Sequence, residues 1–306
     1  GRLHAKDVQR IDGGVSMEVV TQALPKSGDC SIYLAGDFHY GALTCSRSSI
    51  KQMVTAIAAE KDALLILMGD LIEAITPDDR RWQTTSVAWQ DKLYTPGEQT
   101  AAIVRDLASL KGRIPVVLAG NHEWRLMNVE CFPQTIATAL GSEYGGSSAV
   151  VHFEWEKKTA FRVHVSHGGW TPNSNAKDVV QQDANMRATL KMKLQDQVGD
   201  CIAHFCGHGH RLMLQPPTAH RQLYITTSKI GKIHQNYKVS PPQNSNYLHP
   251  DTRWFGMTGS FLKLYTPPGS KSISYSEMFG YRPTEIGCLR AVVKSGEIKY
   301  VEKLVF

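Results

Sequence analysis

Apolar residues in this chain come in short unbroken runs, separated by stretches with helical spacing. Ser31–Gly36 reads SIYLAG, Ala63–Gly69 reads ALLILMG and Ile114–Ala119 reads IPVVLA. None of the three alternates polar with apolar, which predicts strands of a sheet covered on both faces. Between the first two, Ile50, Met53, Val54 and Ile57 fall at i, i+3, i+4 and i+7, with serines just upstream that can cap a helix. A polar stretch through Arg80 and Trp82 to Pro96 predicts a long loop. A second helix is predicted over Glu98–Lys111, with Ile103, Leu107 and Leu110 on one face and Gly112 at its C′ position. The order is therefore β-α-β-α-β, an α/β pattern.

The pattern changes in the middle of the chain. Val150–Trp155 and Phe161–Ser166 predict two strands joined by a polar turn. Ala176 to Gln197 is polar and helical in character and interrupts the strand rhythm, as a lid or cap would, or a plain solvated helix. Cys201–Cys206 predicts another strand, and short strands resume at Ser260–Tyr265, Cys288–Val293 and Ile298–Phe306. The expected organisation is one domain over 1–306, with a cap insertion at 171–200 and a loop-rich insertion at 212–257.

Composition narrows the class. With 306 residues and 42% hydrophobic content, the chain can bury a sizeable core without staples. Its strongest apolar run, Ala63 to Met68, is far short of the roughly 20 residues that span a bilayer. The N-terminal segment GRLHAKDVQRIDGG has no apolar export core, so a cytoplasmic protein is expected, with no membrane partner. The formal charge of +6 is only mildly basic. Six cysteines without a CxxC pair read as reduced, buried thiols rather than zinc ligands.

Candidate chemistry sits where the strands end. Asp37 and His39 follow the first run (GDFH), Asp70 the second (GDLIE), and Asn121 and His122 the third (GNHE). His167 follows Phe161–Ser166 (SHGG), and His208 and His210 follow Cys201–Cys206 (GHGH). The carboxyl ends of strands line one edge of an open α/β sheet, so these side chains can converge there. Singly, each Gly-Asp or Gly-His marks no more than a turn. Carboxylate, imidazole and amide oxygen together suit Mn²⁺, Fe or Zn²⁺. So many such residues exceed the needs of one ion and suit two ions sharing a carboxylate, an arrangement that supports metal-assisted hydrolysis.

The ordered series GDFH, GDLIE, GNHE, SHGG and GHGH, from Asp37 to His210, resembles the signature of the calcineurin-like metallophosphoesterase superfamily. The resemblance implies a two-sheet β-sandwich flanked by helices, with a dinuclear centre at one edge. It implies that Asp37, His39 and His210 hold one metal, that Asn121, His167 and His208 hold the other, and that Asp70 bridges them. A bridging hydroxide would attack phosphorus in line. His122 would bind the phosphoryl group or protonate the leaving oxygen, kept cationic by the carboxylate of Glu73. Two divalent ions are implied, Mn first, with Fe, Zn, Ni or Co also accepted by such ligands.

Departures from the family bear on substrate. Protein Ser/Thr phosphatases of the superfamily carry Asp-Arg-Gly after the second motif, whereas this chain reads Glu73-Ala74-Ile75, which argues against phosphoprotein substrates. Arg125, in GNHEWR, is the candidate for phosphate contact, unless it is simply a solvated arginine. The layout is similar to single-chain phosphoesterases of phages and mobile elements. The expected reaction is phosphodiester hydrolysis on nucleotides, DNA or RNA. Phosphomonoesters are the alternative, and a non-catalytic scaffold of the same fold is a third reading. Tyr94, Trp170, Tyr275 and Arg282 are candidate groove residues or core-margin plugs, while His164 and His204 read as core histidines.

Overall fold

The computed structural model describes residues 17–79, 82, 93–218, 221–239, 241–270 and 273–306. His220 and loop positions 80, 81 and 83–92 lie outside the described residues, as does the side chain of Tyr275.

Two six-stranded mixed sheets carry an α/β fold. The first runs in spatial order β1 (Glu18–Ala23), β6 (Ser148–Trp155), β7 (Lys158–Ser166), β8 (Ala203–Cys206), β12 (Trp254–Met257) and β9 (Met213–Gln215). The second runs β14 (Glu297–Val305), β13 (Gly287–Lys294), β2 (Cys30–Ala35), β3 (Ala63–Leu67), β4 (Val116–Val117) and β5 (Glu143–Tyr144). The three apolar runs become β2, β3 and β4, paired in parallel. Every residue of β2 is buried, as a strand without alternation requires.

The alternation of side chains along β2 shows what covers each face. Ile32 and Leu34 join Ile66, Val116, Val151, Phe153, Val163 and Phe205 in a cluster between the sheets. Tyr33 and Ala35 face the other way. There they meet Ile50, Met53 and Ile57 of α1 (Arg47–Ala59), Ile103 of α2 (Pro96–Asp106) and Ile136 of α4 (Phe132–Leu140). On the far face of the first sheet, Leu190 and Leu194 of α5 (Val179–Leu194) pack on Phe255, Met257 and Met213. They are the only residues of that helix that are buried, so the polar helix docks by its last two turns.

Local chemistry explains the helix starts. Pro96 opens α2, whose N-terminus carries a reciprocal capping box between Thr95 and Glu98. That box moves the helix start two residues ahead of the expected Glu98. Asp178 caps α5 by accepting from the amide of Gln181 at 2.9 Å.

Two regions differ from expectation. Ser260–Tyr265 forms no strand, only isolated bridges from Ser260 to Ile286 and from Leu262 to Cys45. Its backbone bonds go to the loop after β2 instead: the Phe261 amide to the Asp37 carbonyl, and the Lys263 amide to the Thr44 carbonyl. Residues 212–257, expected as loop-rich, hold β9 and β12 inside the first sheet. They also hold a separate hairpin, β10 (Arg221–Thr227) with β11 (Ile233–Val239). Among the described residues no helix is long and apolar enough to cross a membrane. All six cysteines are free, and burial pushes the thiols of Cys30 and Cys201 up to about 12.

His164 and His204 are cross-strand partners on β7 and β8, with ring centroids 5.4 Å apart. Burial depresses His164 to about 4. Burial, then the charges of His164 and Arg253, depress His204 to about 3. Both rings are therefore neutral in the folded chain at pH values where an unfolded histidine, titrating near 6.5, is already protonated. Stability from this pair is complete above about pH 6.5 and declines as pH falls towards about 4. His164→Leu should flatten that part of the acid limb in denaturant titrations at several pH values. An unchanged slope would mean that the pair is not what titrates.

Candidate metal centre

In both sheets the strands that carry the candidate ligands run parallel to one another: β2, β3 and β4 in one, β7 and β8 in the other. Their carboxyl ends deliver three overlapping groups of side chains whose donor atoms lie within 4.8 Å of one another. The groups are Asp37–His39–His210, His39–Asp70–His122 and Asp70–His167–His208. Asn121 joins the last, its Oδ1 lying 2.6 Å from Nδ1 of His208 and 3.2 Å from Nε2 of His167. All seven expected ligands and His122 are thus brought together at one edge.

Backbone amides aim the two carboxylates. Asp37 accepts from the amide of His208 through Oδ2 at 3.0 Å. Its buried Oδ1 has no hydrogen-bond partner and lies 3.3 Å from Nε2 of His210. Asp70 accepts from the amide of His122 through Oδ1 at 2.8 Å. Its Oδ2 lies 3.4 Å from Nε2 of His167 and 3.8 Å from Nε2 of His39. Each carboxylate therefore spends one oxygen on a main-chain donor and points the other at imidazole nitrogens.

Other contacts set the imidazoles. Nδ1 of His167 donates to the Met68 carbonyl at 2.8 Å, and Nδ1 of His39 contacts the Glu73 carboxylate at 2.8 Å. A carbonyl or carboxylate behind the ring is the usual support for a metal-bound histidine, because it leaves Nε2 to the ion. Burial alone lowers His39 and His167. Glu73, Asp70 and Asp37 outweigh it at His39, and Asp70 with Asp37 at His167, and both rings are raised to about 9. Burial alone would raise Asp70, but His167, His39 and His122 hold it well below the ordinary carboxylate range. The pocket is anionic enough to retain protons on its imidazoles, and a divalent cation offers the same compensation. The orphaned Asp37 oxygen, the supported imidazoles and the oxygen–nitrogen donor set all fit such ions.

The Glu73 carboxylate stands between two imidazoles at unequal distances. The Glu73 carboxylate lies 2.8 Å from His39 but 3.7 Å from Nδ1 of His122. His122 instead bonds the Glu73 main-chain carbonyl, at 2.6 Å. Burial, then the neighbouring His39 charge, lowers His122. The Glu73 and Asp70 charges oppose this shift without reversing it. The reason is positional: His39 is closer and takes the acidic side chain. Arg125 stands outside these ligand groups, half exposed and ion-paired with Asp79 at 3.0 Å. Trp170 packs on the cluster beneath α5, and Arg282 is exposed.

Sequence reasoning passed over Glu123. This fully buried carboxylate accepts from the amides of Asp70 (3.1 Å), Ile72 (3.0 Å) and Gly120 (2.9 Å), and from Leu71. It binds the turn after β3 to the start of α3 (Asn121–Trp124). Burial and the Asp70 charge push it up to about 7 against the Ile72 and Gly120 amides and the His167 charge. A signal was present, because Glu123 is the third helical residue after Gly120 and reaches back to the Gly120 amide, as in a capping box.

The loops are also strained. Asp37, His39, Asp70, His208 and His210 all have φ between 48° and 65°. In that region a side chain costs about 1 kcal/mol or more relative to glycine. Gly120 meets a different limit: a Cβ there would lie 2.0 Å from Oδ1 of Asp70 and 2.2 Å from its amide nitrogen.

No family model and no curated protein matches the chain. Among solved structures, one titled "GAP50 the anchor in the inner membrane complex of Plasmodium" aligns over 91% of this chain and 89% of its own. It does so at 10% identity and a TM-score of 0.35, a likeness too slight to carry an argument.

Two outcomes follow from this geometry. Gly120→Ala should displace Asp70 and cut metal retained after dialysis against Mn²⁺ at least tenfold, with the far-ultraviolet circular dichroism preserved. Retention at the parental level would contradict the crowding at Gly120. His210→Gly and His210→Ala both remove the imidazole, but in chelator the glycine variant should be the more stable by about 1 kcal/mol. Equal stabilities would show that the backbone at residue 210 is not strained.

Proposed function

We propose that this chain is a dinuclear metal-dependent phosphoesterase of the calcineurin-like metallophosphoesterase superfamily, with the two-sheet fold of that family, acting on phosphodiesters of nucleic acids or nucleotides. The observation that carries the reading is the convergence, at one sheet edge and in motif order, of two amide-aimed carboxylates with four imidazoles and an amide oxygen. In this reading Asp37, His39 and His210 hold one ion, Asn121, His167 and His208 the second, and Asp70 both. Manganese is the first candidate among the ions that such ligands accept. Divalent ions in such a site supply an activated water at neutral pH and neutralise charge on the phosphoryl group.

The chain's own residues supply the rest. Glu73 orients His39, and the amides of His122 and His208 keep Asp70 and Asp37 turned so that one oxygen of each faces the ligand cluster. Because the Glu73 carbonyl can only accept, Nδ1 of His122 carries the proton there, and the tautomer is set. Its Nε2 is then the free nitrogen, and it donates to the phosphoryl or leaving oxygen once the ring takes up a second proton, a change that an arriving phosphate anion would favour. A phosphomonoester dianion brings one more negative charge than a diester and calls for an extra cation. Arg125, the candidate for that task, is engaged with Asp79, which favours diesters.

The test is hydrolysis of bis-p-nitrophenyl phosphate against p-nitrophenyl phosphate, with Mn²⁺ and with EDTA. A diester preference abolished by EDTA is expected, and His122→Asn should lower kcat by about 100-fold or more with metal content intact. A monoester preference would replace the substrate class. Failure to bind metal under any condition would overturn the reading in favour of a scaffold.

A further inference from the structure

The hairpin of β10 and β11 is the part of the described chain least explained by the fold. Its strands pair over seven positions, from Arg221 opposite Val239 to Thr227 opposite Ile233, and form a two-stranded sheet of their own. Ser228 closes its turn, donating its amide to the Lys232 carbonyl at 2.8 Å and accepting from the Lys232 amide at 3.1 Å. From Tyr224 to Gln235 every residue except Ser228 is exposed, including Ile225 at 68% and Ile233 at 70%. A two-stranded ribbon alone in water is marginally stable, and one exposed on both faces gains little from its own protein. It is built to be covered by something else.

Charge indicates the sign of that partner. Between Asp200 and Asp251 the sequence has no Asp or Glu at all, while Arg211, Arg221, Lys229, Lys232 and Lys238 fall inside the interval. Lys229 and Lys232 stand exposed at the tip. A second copy docking edge to edge would leave these tip lysines without a counter-charge, since the hairpin carries no acidic residue. A lipid surface would take up only the face of Ile225 and Ile233 and would leave the opposite, hydrogen-bonding face unused. One face presents Tyr224, Thr226, His234 and Asn236, a hydrogen-bonding set, and the other presents Ile225 and Ile233. The major groove of B-form DNA is about 12 Å wide and admits a two-stranded β-ribbon of this kind.

We propose that the β10–β11 hairpin is a DNA-binding arm that enters the major groove of a duplex, with Lys229 and Lys232 on backbone phosphates and the Thr226–His234–Asn236 face towards base edges. The arm is independent of the metal chemistry and would act whether or not the centre hydrolyses phosphate esters.

The test is fluorescence anisotropy of the full chain with a labelled phosphorothioate duplex of 20 base pairs, at 50 and 200 mM salt, with a single strand of equal length and phosphatidylserine vesicles alongside. Lys229→Glu/Lys232→Glu should weaken duplex binding at least tenfold and reduce the salt slope by about two. Lys229→Gln/Lys232→Gln should fall between, and both variants should keep the parental melting temperature and the parental rate on bis-p-nitrophenyl phosphate. Duplex affinity that is absent, or unmoved by either double variant, overturns the proposal. Equal sensitivity of the single strand overturns groove entry. Binding to vesicles but not to duplex makes the arm a membrane contact instead.

Discussion

Glu123 is the contact on which the metal edge depends. Its carboxylate lies under the centre, fully buried, and collects amide protons from Asp70, Leu71, Ile72 and Gly120. Those donors belong to two loops that leave neighbouring strands, and the bonds of the first loop to the loop after β2 run through its carbonyls and the Glu73 amide rather than through these amides. Without a shared acceptor, four buried N–H groups would be unsatisfied, at about 1–3 kcal/mol each. With it, the turn carrying Asp70 and the helix carrying Asn121 and His122 become one piece. The Asp70 carboxylate then accepts from the His122 amide, so ligand and support hold each other.

The same edge concentrates unfavourable features. Carboxylates are buried close to one another, five ligand-bearing positions adopt left-handed backbone angles, and one Asp37 oxygen lacks a partner. None of this serves folding, and each feature would be relieved by glycine or by an apolar residue. The two apolar clusters behind it, one between the sheets and one under α1, α2 and α4, offset that cost. A site whose local geometry is poor for stability and good for ligation is what a cation-dependent function requires.

The metal edge and the β10–β11 hairpin contrast in construction. At the edge, hydrogen bonds fix one oxygen of Asp37, one of Asp70 and the rings of His39, His122 and His167. In the hairpin, the ladder, one serine-closed turn and the bonds of the Asn236 side-chain amide to Thr226 and His234 organise the backbone, and every residue from Tyr224 to Gln235 except Ser228 is exposed. The proposed chemistry would need groups held within tenths of an ångström, whereas the proposed arm would need reach and exposed cations.

The sequence by itself determined the α/β class, the parallel run of β2, β3 and β4, and the residues at the strand ends. Unbroken apolar runs of five to seven residues closed by Gly-Asp or Gly-Asn turns are too short for buried helices and read as covered strands, and parallel strands end at a common edge. Asp37, His39, Asp70, Asn121, His167, His208 and His210 could be named before any coordinates for that reason. Spacing could not say which oxygen of Asp37 or Asp70 turns inward, because amides from distant loops decide it. It could not give the Glu73 carboxylate to His39 rather than His122, since both rings fall within reach of it. Nor could it distinguish the bonds of Ser260–Tyr265 to neighbouring loops from those of a strand, because a short apolar segment at a sheet edge can satisfy its backbone either way. Side-chain type is local information, but the partner of a buried polar group is chosen by the tertiary packing that brings donors and acceptors together.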